Sequence, residues 1–157
     1  LLVTVPTRCS RNSVKFVFAL SAAALAALCA SPLATMAQTV RGDAVPEPLT
    51  STAGDPARGR EIVTGRQANC LLCHSIPESG QRFMGDVGPS LSGVATRLTA
   101  GQIRLRVVDP TRVKADVTMP AYHRTNDLDR VARSDRGKPV LTAQEVEDVV
   151  AYLTTLR

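Results

Sequence analysis

The chain has no tryptophan, two tyrosines and three phenylalanines, so aromatic side chains make up only 3% of its 157 residues. Aromatic rings carry much of the apolar area of an ordinary core, and a domain this short of them needs apolar bulk from another source. Histidine is as scarce, with His74 and His123 alone, and cysteine is limited to Cys9, Cys29, Cys70 and Cys73. Two of these cysteines sit in the first thirty residues, so no disulfide framework is available to the rest of the chain. A length of 157 residues is enough for one core and too little for two.

What the N-terminus does have is a layout of its own. Arg8, Arg11 and Lys15 precede an apolar run from Phe16 to about Ala30, followed by Pro32, Thr35 and Ala37. This is the three-part pattern of a secretory signal peptide, with cleavage expected between Ala37 and Gln38. The apolar run is shorter than the roughly 20 residues a spanning helix needs, and nothing after Ala37 reads as a stop-transfer segment. The reading is therefore residues 1–37 as an export signal and a mature protein with no membrane span, outside the cytoplasm. Lipid attachment at Cys29 is disfavoured because Leu28, not a small residue, precedes it. Without the leader, 16 basic residues face 14 acidic ones, and the net charge falls from +5 to +2. So small a charge makes no case for nucleic acid as a partner.

Residues 38–54 contain Pro46, Pro48, Ser51 and Thr52 and few large apolar side chains, a composition expected to give a flexible arm. Order is expected from Asp55, which can cap a helix whose first turn accepts Pro56, with the helix running to about Arg66. Thr99 and Gln102 form the sequence signature of a capping box, and Pro110 sets the end of that helix near Asp109. Thr142 and Glu145 repeat the device before Val149, Val150, Leu153 and Leu156, which fall on one helical face. Three capped helices and no convincing strand predict an all-α domain over 55–157. The polar stretch Ala121–Val140, with five basic and three acidic residues, reads as a solvated loop or as a docking surface.

The chemistry is concentrated in Cys70-Leu71-Leu72-Cys73-His74. Two thiols one turn apart can form thioethers to the two vinyl groups of a haem, while the adjacent His74 reaches the iron. A redox dithiol or half a zinc site are the competing readings of a Cys-x-x-Cys pair. Zinc needs further ligands, and a thioredoxin-like site needs strands that the pattern does not contain. One covalent haem c, bound by Cys70 and Cys73, is also the apolar bulk that the aromatic-poor core calls for. For the second axial ligand the mature chain has Met84 and Met119. Met119 is favoured, since Pro120 biases it to an extended loop, whereas Met84 is only ten residues past His74; His123 is the fallback. In Gly88-Pro89-Ser90-Leu91, the Pro89 carbonyl can accept from the His74 ring and fix its orientation.

Taken together, Gly59, the Cys70–His74 motif, Gly88-Pro89-Ser90-Leu91, Met119-Pro120 and Tyr152 resemble class I cytochrome c. That resemblance covers roughly Asp55 to Arg157 and implies first and last helices that cross at Gly59 and Tyr152. Residues 116–122, the insertion after them, and Gly137-Lys138-Pro139-Val140-Leu141-Thr142 followed by Val146 to Leu153 are more narrowly similar to the SoxX family. Its members are periplasmic monohaem subunits of the SoxAX cytochrome complex. The resemblance implies a SoxA subunit as partner, transient contact with the SoxYZ carrier, and a downstream cytochrome as electron acceptor. The complex would join thiosulfate oxidatively to a carrier cysteine as an L-cysteine S-thiosulfotransferase, with the catalytic centre on SoxA and none on this chain. His74 and Met119 would then hold an electron-accepting iron. A free-standing periplasmic electron carrier, or the cytochrome domain of an unrelated dehydrogenase, fits the same motifs, because fold does not fix function.

Overall fold

The computed structural model describes residues 39–157, and the export signal expected over 1–37 lies outside them. Four α-helices follow in order: α1 (Pro56–Thr64), α2 (Val94–Arg97), α3 (Ala100–Val108) and α4 (Ala143–Leu153). Short 3-10 turns at Cys70–Leu72, Pro77–Ser79, Pro110–Arg112 and Arg133–Asp135 punctuate the connections. Among the described residues there is no strand, only one isolated bridge between Arg41 and Ala44. The all-α expectation is borne out.

The three expected helices start where their capping residues stand. Asp55 accepts from the backbone N–H groups of Ala57 and Arg58, relieving the orphan donors at the start of α1. Both capping boxes are complete: Thr99 with Gln102 on α3, and Thr142 with Glu145 on α4. Two ends fall earlier than expected. α1 stops at Thr64 with Gly65 as its cap, and α4 stops at Leu153, so Leu156 is buried beyond the helix and not on its face. The four-residue α2 was not anticipated, since a single turn is too short to display a period.

α1 and α4 cross at close range. A Cβ on Gly59 would run into the Asp148 carbonyl and lie 2.8 Å from Cβ of Tyr152, so only hydrogen fits at this position. This is the crossing point the resemblance implied. Around it α4 buries Val146, Val149, Val150 and Leu153, spaced one face apart. α4 also buries two acids that a helical pattern assigns to solvent. Asp148 accepts from the Arg58 guanidinium at 2.8 Å and 2.9 Å and from the Asp55 backbone N–H at 2.8 Å. Glu147 pairs with Arg104 of α3 through two parallel bonds of 2.7 Å and 2.8 Å.

The expectation of a flexible arm at 38–54 is corrected here. Val45 is 2% exposed, its N–H bonds to the Gly101 carbonyl at 3.0 Å, and its own carbonyl accepts from Arg104 at 2.8 Å. Further along, the Leu49 N–H bonds to Glu147 at 2.9 Å and the Thr50 hydroxyl to Gln144, also at 2.9 Å. The arm is therefore a strap over α3 and α4. Composition misjudged it because the strap has few large apolar side chains, Val45 and Leu49 among them, to signal its burial. Its backbone is instead satisfied by a charged pair 50 to 100 residues away.

Candidate functional site

The site begins at Asn69, whose left-handed backbone (φ +52°) turns the chain out of the α1 region, a conformation Asn tolerates better than most residues. The next residues close a 3-10 turn, with N–H groups of Cys73 and His74 both bonded to the Cys70 carbonyl. In a 3-10 turn residues three apart eclipse, so Cys70 and Cys73 share a side. The chain then loops back alongside. N–H groups of Gly85, Gly88 and Leu91 bond to the carbonyls of Leu71, Cys73 and Ser75. This return places Gly88 against the His74 imidazole, where a Cβ would collide with the ring.

Pro89 follows, with its carbonyl oxygen 2.6 Å from His74 Nδ1. A carbonyl only accepts, so the ring proton resides on Nδ1 and the Nε2 lone pair is left free for a metal. Arg97, at the end of α2, spans the carbonyls of Ser90 and Ser92 at 2.8 Å each and holds the turn from outside. Sequence reasoning missed Arg97, because a guanidinium five and seven residues from the carbonyls it holds matches no capping or helical spacing.

Cys70, Cys73, His74, Pro89 and Met119 all line one cavity of about 610 Å³, within the range of cofactor sites. Aliphatic side chains of α1, α3 and α4, among them Val63, Ile103, Val107, Val149 and Leu153, form much of its wall. The other candidates stand elsewhere. Met84 Sδ accepts the Ile76 N–H at 3.1 Å and is outside the lining, as is His123, whose Nδ1 is 2.8 Å from the Leu141 carbonyl. The only phenylalanine among the described residues, Phe83, is 89% exposed, so no phenylalanine fills the interior.

Burial pushes the Cys70 thiol up to about 11, with the neighbouring Cys73 adding to the shift. Reactive dithiols and metal thiolates require the opposite, a depressed thiol. Among the described residues no group of three or more His, Cys, Asp or Glu side chains is set to hold a metal ion on its own. Two thiols that share a side, an imidazole with one free nitrogen and an apolar cavity fit a haem attached through thioethers. The Tyr122 phenol lines the same cavity and is pushed up to about 12, by burial first and then by the two cysteines.

The comparisons agree with this chemistry. The cytochrome c family model matches residues 56–157. A search of curated proteins returned no match. Among solved structures, the chain is similar to the crystal structure of SoxXA from P. pantotrophus, with 33% sequence identity and a TM-score of 0.70. That likeness covers 75% of this chain and 93% of the other. The chain thus belongs to the cytochrome c family, as a SoxX-like monohaem cytochrome of class I fold carrying covalently bound haem c.

Proposed function

We propose that this chain is the electron-accepting monohaem subunit of a periplasmic SoxAX-type complex, paired with a SoxA cytochrome, in the oxidative conjugation of thiosulfate to a SoxYZ cysteine. What supports the electron-transfer role most directly is the convergence of Cys70, Cys73, His74 and Met119 on one apolar cavity. The partner is supported by the likeness to SoxXA.

When bound, the haem supplies an iron that accepts and returns single electrons. The chain's residues provide the setting. Cys70 and Cys73 hold the group covalently from one side of a rigid turn. His74 presents Nε2 to the iron while Pro89 fixes the tautomer and raises the basicity of the ring. Met119 offers a soft thioether, a ligand that raises the potential and suits an acceptor. On this reading no residue here need serve as acid, base or nucleophile, and the sulfur chemistry belongs to the partner, with a downstream cytochrome taking the electrons.

The test is purification of the tagged mature chain from its own host, with staining of co-eluting bands for covalent haem. The expected result is a second haem-bearing chain retained in high salt, and haem reduction by thiosulfate once the sulfur carrier is added. A single haem chain that elutes alone and only exchanges electrons is a free-standing carrier, and the complex assignment then falls.

A further inference from the structure

Met119 sits in a loop, its side chain packed against the edge of the core but its backbone unpinned. Among the described residues no backbone hydrogen bond reaches Met119, Pro120 or Ala121. The three residues that follow are fastened one after another to the end of α3. Tyr122 N–H bonds to the Val107 carbonyl at 3.1 Å and His123 N–H to the Val108 carbonyl at 3.2 Å. Arg124 then meets the Asp109 carboxylate at 3.3 Å and the Thr111 hydroxyl at 3.0 Å.

Tyr122 is tied on two more sides. Its carbonyl accepts from Leu141 N–H at 2.9 Å, and its buried hydroxyl donates to the Ala68 carbonyl at 2.7 Å. Ala68 lies two residues before Cys70. The phenol therefore links the segment bearing the thioether methionine directly to the segment bearing both cysteines and His74. A phenylalanine would fill the same space, but it would leave a buried carbonyl without its donor.

We propose that Tyr122 is a positioning residue for Met119. Its hydroxyl clamps the methionine loop to the attachment turn, with Arg124 closing the far end, so that the thioether stays on the iron when competing ligands are present. The proposal rests on the reading of Met119 as the second axial ligand.

The experiment uses the ferric holo-protein titrated with imidazole, which reaches the iron only by displacing the thioether, followed through the near-infrared charge-transfer band of methionine-ligated haem. Tyr122→Phe is expected to retain covalent haem and helicity and to bind imidazole about threefold to tenfold more tightly, the effect of one lost hydrogen bond. Arg124→Gln is expected to move in the same direction. A purely structural role would lower the thermal midpoint and leave imidazole affinity at its wild-type value, and that result overturns the proposal. If Tyr122→Phe does not accumulate with haem, Arg124→Gln decides, and wild-type affinity there overturns it equally. Absence of the band from the wild-type protein overturns the Met119 reading, and this inference with it.

Discussion

A thioether is a weak, uncharged donor, so which methionine can serve the iron is decided by where its sulfur is free to point. Met84 has its sulfur engaged by a backbone N–H, while Met119 lines the cavity. Met119→Ala is therefore expected to abolish the near-infrared charge-transfer band of the ferric protein, and Met84→Ala to leave it in place; a band that survives the first substitution transfers the role. In the sequence Pro120 favours the same residue, because a residue before proline is held extended. Gly88 was not legible in the same way. Its neighbour Pro89 marks an ordinary turn, and only the fold places an imidazole where a Cβ would go. Gly88→Ala is expected to push His74 off the Pro89 carbonyl at about 1–3 kcal/mol of overpacking cost. The measure is the fraction of secreted chain that stains for covalent haem, which should drop well below that of wild type.

The helices announced themselves through their ends: Asp55, Thr99 and Thr142 each begin a helix, and each cap is present in the structure. Their contacts were less visible. Gly59 is the point where α1 meets the Asp148 carbonyl of α4, and Gly59→Ala should cost about 1–3 kcal/mol in denaturant unfolding, with the family's characteristic crossing as the cause. Asp148 adds a pH dependence to the same junction. The Arg58 guanidinium, and after it the Asp55 N–H and Gln144, hold its carboxyl below the ordinary value of 3.8 against the opposing effect of burial. A carboxyl lowered in the folded state stabilises above its unfolded value and loses that contribution as pH falls through the folded one. Stability is thus expected to decline from about pH 4 downward. In Asp148→Asn the decline should be shallower and the stability at neutral pH lower; an acid limb identical to wild type in chemical unfolding at a series of pH values rules this account out.

At the scale of the whole molecule, one buried ion pair organises the strap, α3 and α4 together. Arg104 and Glu147 have side chains about 5% and 6% exposed, and between them they also bond the backbone of Val45 and Leu49. Breaking such a pair by removing one partner leaves a buried charge uncompensated and costs about 3–5 kcal/mol. Glu147→Gln is expected to show that loss in urea unfolding and to make residues 45–54 newly sensitive to limited proteolysis, whereas a protected strap would mean the pair is dispensable. Aromatic scarcity makes sense at this scale too. The described interior contains no phenylalanine, and a cavity of about 610 Å³ lies between α1, α3 and α4 where the haem supplies the missing apolar contact. By itself the sequence determined the starts of the three capped helices, the attachment motif, the all-α class and the cofactor, because each depends on residues within a few positions of one another and on local hydrogen bonding or covalent chemistry. Only the tertiary structure decided the strap, the burial of Glu147 and Asp148, and the fastening of Tyr122 to Ala68. Those depend on partners 43 to 98 residues apart, and a buried hydrogen bond between distant residues leaves no periodicity or composition by which either end could be recognised.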